Sequence, residues 1–76
     1  MKTLIEFLLV HLVSHPEDVV VTETQDEEGH TYSVKVNPED MGRVIGRGGR
    51  VIKALRKIIQ VKMIKDGIRG RLVVEE

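Results

Sequence analysis

Val44-Ile45-Gly46-Arg47-Gly48-Gly49-Arg50-Val51-Ile52 is the stretch on which the reading of this chain turns. It combines a Gly-x-x-Gly turn, aliphatic flanks and two arginines. Gly46 and Gly49 carry no Cβ, so another backbone can come close to the loop and the turn can take positive φ without strain. If a helix starts after Gly49, its unpaired N–H groups and a partial charge of about +0.5 face whatever lies over the loop. Arg47 and Arg50 add full charges there, and a phosphate suits such a place.

Upstream of the loop, Asn37-Pro38-Glu39-Asp40 reads as a helix start. Asn37 is the N-cap, Pro38 takes the first helical position, and the carboxylates lie where the helix dipole favours them. This helix is short, because Gly46, Gly48 and Gly49 disfavour its continuation past Ile45. Downstream, a longer helix is predicted from Gly49 or Arg50 to Lys65 or Asp66, closed by Gly67. Steps of about 100° put Val51, Ile52, Leu55, Ile58, Ile59 and Met63 on one arc and Arg50, Lys53, Arg56 and Lys57 on the other. Lys62 falls inside the apolar arc, so the helix is expected to fray there or the lysine to snorkel outward.

The remaining elements follow from shorter periods. Val19 to Thr24 and Thr31 to Val36 read as strands, with Tyr32, Val34 and Val36 on one face, joined as a hairpin by Asp26-Glu27-Glu28-Gly29. The three carboxylates of that tract are read as a solvated turn without chemistry. Arg71 to Glu75 reads as a last strand with Leu72 and Val74 inward. Leu4 to Val13, apolar at eight of ten positions, reads as a helix stopped by Pro16 near Ser14, with Leu4, Leu8 and Leu12 on one face and Ile5 and Leu9 beside them. Glu6 and His11 interrupt it and it is too short to span a bilayer, which takes about 20 residues, so neither a signal segment nor a membrane anchor is expected. Its surplus apolar surface fits a dimer or partner interface as well as a core. The order is α-β-β-α-α-β. A two-helix crossover between the last two strands makes them parallel and right-handed, and the hairpin adds the first strand antiparallel.

Size and composition set bounds on function. Seventy-six residues allow one domain, residues 1–76, near the lower limit for folding without disulfides or metal. With 41% hydrophobic and 32% charged residues, the composition is that of a soluble globular protein. The lack of cysteine removes disulfides and cysteine-based zinc sites and fits a cytoplasmic location. His11, His15 and His30 have no ligand-like spacing, so neither metal nor cofactor is expected. The net charge of zero conceals an asymmetry. Residues 1–40 hold two basic and nine acidic side chains, net −7, and residues 41–76 hold ten basic and three acidic, net +7. The positive half gathers around the glycine loop, the footprint of a nucleic-acid binder.

With these elements in place, the nine-residue stretch resembles the aliphatic-Ile-Gly-x-x-Gly-x-x-Ile signature of type II KH domains. The resemblance spans the chain, which is similar to the small bacterial single-KH-domain proteins of the KhpA-like (YlqC) family. It implies an α+β two-layer sandwich with a three-stranded mixed sheet and helices on one face. It implies binding of single-stranded RNA, with Gly46 to Gly49 clamping the backbone of about four nucleotides. Arg43, Arg47, Arg50 and Lys53 then meet phosphates, while Val44, Ile45, Val51 or Ile52, Leu72 and Val73 line a groove for bases. Gly48 stands where many family members carry a polar or basic residue, a departure expected to loosen the loop. The resemblance also implies an RNA chaperone or post-transcriptional regulator, acting as a homodimer or with a larger KH protein.

Two other readings stand beside this one. A basic second helix after a glycine turn also describes a helix-turn-helix DNA reader, but three strands and three loop glycines argue against it. A protein-interaction module with little RNA binding of its own would use the apolar first helix and treat the glycines as a turn. An enzyme is not expected, since no nucleophile-base arrangement, Walker lysine, Gly-x-Gly-x-x-Gly after a strand or paired-carboxylate signature is present.

Overall fold

The structure is a computed structural model describing residues 1–75. Its elements are α1 (Lys2–Val10), β1 (Val20–Asp26), β2 (Gly29–Lys35), α2 (Met41–Ile45), α3 (Arg50–Lys65) and β3 (Gly70–Val74), with short 3-10 turns at Pro16–Asp18, Pro38–Asp40 and Arg47–Gly49. The sheet order is β1-β2-β3, with β1 antiparallel and β3 parallel to the central β2, as the two-helix crossover requires. No helix among the described residues is long and apolar enough to cross a membrane.

Strand alternation decides which face is covered. Val21, Tyr32, Val34, Val36 and Leu72 are buried beneath the helices together with Ile5, Leu9, Val44, Ile52, Leu55, Ile59 and Met63. The other face carries the cross-strand pairs Thr22–Ser33 and Thr24–Thr31. The hairpin is tighter than the acidic tract implied: Asp26 pairs with Gly29 across a two-residue turn, Glu27-Glu28.

The structure corrects the end of α1 and the place of Ile58, and decides between the two alternatives at Lys62. α1 ends at Val10 instead of near Ser14, because the Ser14 and His15 N–H groups donate to the Asp40 carboxylate at 2.9 and 3.0 Å and draw the chain off the helix axis. Its buried side chains are Ile5 and Leu9, with Leu4, Leu8 and Leu12 only half-buried around them and Phe7 and Val10 exposed. In α3, Ile58 is 51% exposed although the helical projection put it on the apolar arc. The same helix stays intact at Lys62 and the lysine snorkels outward as one alternative expected, its Nζ donating to Asp66 Oδ1 at 3.1 Å, one turn on and in solvent.

Asp40 is buried, 1% exposed, where the sequence offered only a dipole partner for the helix start. Burial opposes its charge, but the two backbone N–H groups outweigh that and hold its carboxyl below the usual aspartate range. The clamp fixes the α1–β1 connection to the segment that opens α2. Beside it, His15 Nε2 bonds Glu39 Oε2 at 3.0 Å, which raises the His15 pKa against some loss of hydration.

Candidate nucleic-acid interface

The interface is assembled by two helices that stop and start on glycine. Asn37 Oδ1 accepts the Glu39 N–H at 2.8 Å and so caps the turn leading into α2. α2 then ends at Gly46, whose N–H donates to Gly42 O at 2.8 Å while its own backbone sits at φ 77°, ψ 169°. That region is open essentially to glycine alone. A Cβ there would also stand 2.5 Å from Val51 Cγ2, so the loop folds down onto the first turn of α3.

Arg47 to Gly49 make one hydrogen-bonded turn, with Gly49 N–H on Gly46 O at 3.0 Å and Arg50 N–H on Arg47 O. Gly48 is left-handed at φ 63°, and a Cβ built on it meets nothing within 4 Å. The extra glycine thus takes part in a bonded turn and leaves its outer surface bare. Behind it, α3 begins with no side-chain cap among the described residues and no acidic residue in its first turn. Arg43, Arg47, Arg50 and Lys53 are all exposed. Among the described residues none of them lies within 4.0 Å of a carboxylate.

The aliphatic flanks divide differently from the expectation. Val44 is 0% and Ile52 6% exposed, so both anchor the loop from inside the core, and Leu72 at 8% does the same from β3. Ile45 and Val51 are half-buried and keep part of their surface beside the loop. Val73 alternates with inward Leu72 and therefore lies on the far face of the sheet, opposite Ser33, where it cannot line a groove next to α3. Arg56, counted in the basic arc but not as a site residue, donates Nε to the Leu72 carbonyl at 3.4 Å. The helical projection carried half of that signal; the partner carbonyl depends on where β3 docks.

A clamp-shaped glycine turn between two short-linked helices, set on a β1-β2-β3 sheet with parallel β2 and β3, defines a type II KH domain. The comparisons agree. A family profile described as KhpA/KhpB, KH domain, matches residues 2–74, and the chain belongs to this family. It is 45% identical over 75 residues to the RNA-binding protein KhpA of Clostridium perfringens, covering 99% of this chain and 97% of that one. The KhpA of Listeria monocytogenes is 42% identical over 76 residues, with 100% of both chains covered. That of Thermotoga maritima is 46% identical over 63 residues, covering 83% of this chain and 84% of its own. No solved structure matches.

Proposed function

We propose that this protein binds single-stranded RNA by seating the phosphate backbone on the Gly46–Gly49 loop, with Arg43, Arg47, Arg50 and Lys53 as the charged contacts. The observation that carries this reading is a bare glycine turn over a helix start with no side-chain cap, beside exposed cations that have no carboxylate within 4.0 Å among the described residues. Backbone N–H groups, helix dipole and guanidinium groups all favour an anion at one place. The relatives' name, RNA-binding protein KhpA, points the same way. With RNA as its ligand, the protein acts in post-transcriptional regulation, in the cytoplasm.

The test is fluorescence anisotropy of a labelled mixed-sequence RNA against wild type and the Arg47→Asp/Gly48→Asp variant. Neutralising three or four phosphates gives a salt slope of about −2 to −3, a loss of roughly 20- to 50-fold in affinity between about 50 and 200 mM salt. Binding by wild type and none by the folded variant is expected. Equal affinities would sink the clamp.

Association with a second KH chain, as a homodimer or with a larger KH protein, is the companion proposal. Its support is apolar surface the core leaves uncovered: Phe7 at 59% on α1 and Val61 and Ile64 at 66% and 70% on α3. Sedimentation equilibrium at high concentration is expected to show a dimer, and a strictly monomeric profile counts against self-association.

A further inference from the structure

β1 is an outer strand of the sheet, and the direction of its polar groups follows from the strand beside it. The His30 N–H donates to Arg69 O and Val34 O accepts the Glu75 N–H, both at 2.8 Å, so these two residues of β2 turn their polar groups toward β3. Partners in an antiparallel ladder turn the same way, both toward each other or both apart. Gln25 and Val21, the register partners of His30 and Val34, therefore point away from β2, and Glu23 between them does the same. Their N–H and C=O groups form one outward row, and among the described residues no other backbone group takes them up.

The usual devices that blunt a sheet edge are missing from this row. β1 contains no proline, lysine or arginine, and it pairs with β2 at seven consecutive positions without a bulge. All of it except Val21 is exposed. Glu23 is its one charge on the helix-covered face, and that carboxylate is drawn across to β2 by His30 Nδ1 and the Tyr32 hydroxyl, off the free edge. The opposite edge is guarded, since β3 has five residues, carries Arg71 and has Arg56 Nε on Leu72 O at 3.4 Å.

Charge decides what such an edge accepts. Residues 16–34 hold Glu17, Asp18, Glu23, Asp26, Glu27 and Glu28 and no lysine or arginine, so carboxylates bracket β1 at both ends. Arg69 and Arg71 approach the hairpin from its β3 side, in the same cavity as Asp26 and Glu28, and among the described residues neither comes within 4.0 Å of a carboxylate. A second copy pairing antiparallel through this edge would lay the Glu17 and Asp18 end of one chain against the Asp26 to Glu28 end of the other. Like charges facing across strands destabilise such a pair, whereas a strand bearing lysine or arginine gains at both ends.

We propose that the free side of β1 docks an extended segment of another protein, rich in lysine or arginine and in β-forming residues, which joins the sheet as a fourth strand. Backbone pairing with residues 21, 23 and 25 holds the segment, and the acidic ends of β1 select it. The edge uses none of the glycine loop or its cations, so it stands independently of the RNA reading above.

The experiment is NMR with a capped heptapeptide that alternates lysine and valine, read by amide shifts and amide hydrogen exchange. Saturable shifts along β1 are expected below about 1 mM peptide. In the free protein the Glu23 and Gln25 amides should exchange faster than those of Thr22 and Thr24, which bond β2, and saturating peptide should slow Glu23 and Gln25 roughly fivefold or more. Gln25→Pro removes one outward N–H without breaking the β2 ladder and should weaken the peptide by a similar factor. The same peptide N-methylated at its central residues keeps its charge and cannot pair, so it should not bind wild type, and this arm decides the question even where Gln25→Pro fails to fold. A peptide alternating glutamate and valine should not bind either. No binding of the basic peptide, shifts centred away from β1, or equal binding of the N-methylated or the acidic peptide overturns the proposal. So does exchange at Glu23 and Gln25 that slows with protein concentration alone, which assigns the edge to a second copy.

Discussion

The glycine loop at 46–49 and the hairpin turn at 26–29 are both short, glycine-containing and charged, and they use their charges in opposite ways. At the hairpin, Asp26 Oδ1 accepts the N–H groups of Glu28 and Gly29 at 2.8 and 3.2 Å. Three residues back along β1, Glu23 Oε2 takes His30 Nδ1 at 2.7 Å and the Tyr32 hydroxyl at 3.2 Å. The His30 bond holds the Glu23 carboxyl below its usual range, while burial, helped by Glu23, pushes the Tyr32 hydroxyl up. At the loop, Arg47 and Arg50 have no such partner among the described residues, and the helix behind them has no side-chain cap there. Charges satisfied within the chain hold a turn together, and charges left unsatisfied are available to a ligand.

The sharpest way to break this contrast is Gly46→Ala. Its backbone conformation and the Val51 side chain both reject a Cβ, so a cost of about 3 kcal/mol and a Tm lower by at least 10 °C or so are expected. A variant within about 2 °C of wild type would show that the loop is not locked as described.

Asp40→Asn keeps the shape but leaves one of the Ser14 and His15 donors facing an amide N–H, and should lower Tm by about 5–10 °C at neutral pH. The sign with pH is fixed by the lowered carboxyl. Its contribution is complete above the unfolded aspartate pKa of about 4 and is lost as pH falls through the lower folded value. Wild type and variant melts should therefore converge in acid; parallel curves down to the lowest pH contradict the clamp. RNA affinity is expected to stay within about twofold, because Asp40 supports the fold and touches no part of the loop.

Smaller effects separate the two turns further. Lys53→Gln should reduce the salt slope by about 0.7 and weaken RNA binding a few-fold without changing Tm, which anisotropy at several salt concentrations measures. Asp26→Ala should do the reverse, costing a few degrees in Tm while leaving RNA affinity unchanged. An Asp26 effect on RNA as large as that of Lys53 would erase the distinction between structural and available charge.

Much of this contrast is legible in the sequence. The Gly-x-x-Gly turn, its flanking helices, the parallel crossover and the placement of positive charge all follow from local rules: cap residues, glycine breaks and a two-helix connection. What stayed hidden depends on distant packing. Val44 and Ile45 are neighbours of like chemistry, yet only the docking of α2 against α3 makes one a core residue and leaves the other half-exposed. Asp40 looked like a dipole partner because its donors lie 25 and 26 residues upstream. Placing Val73 beside Leu72 in the groove ran against the alternation that already turned Leu72 and Val74 inward, and Arg56 lacked a visible partner until β3 set Leu72 O beside it.

The most direct test of the central claim is an NMR titration of the protein with single-stranded RNA, following the backbone amides of both turns. The expected result is progressive shifts at Gly46 to Lys53 that shrink as salt is raised, with the amides of Asp26 to His30 unmoved. Shifts centred on the hairpin, or none at the glycine loop while the RNA is bound, would contradict it.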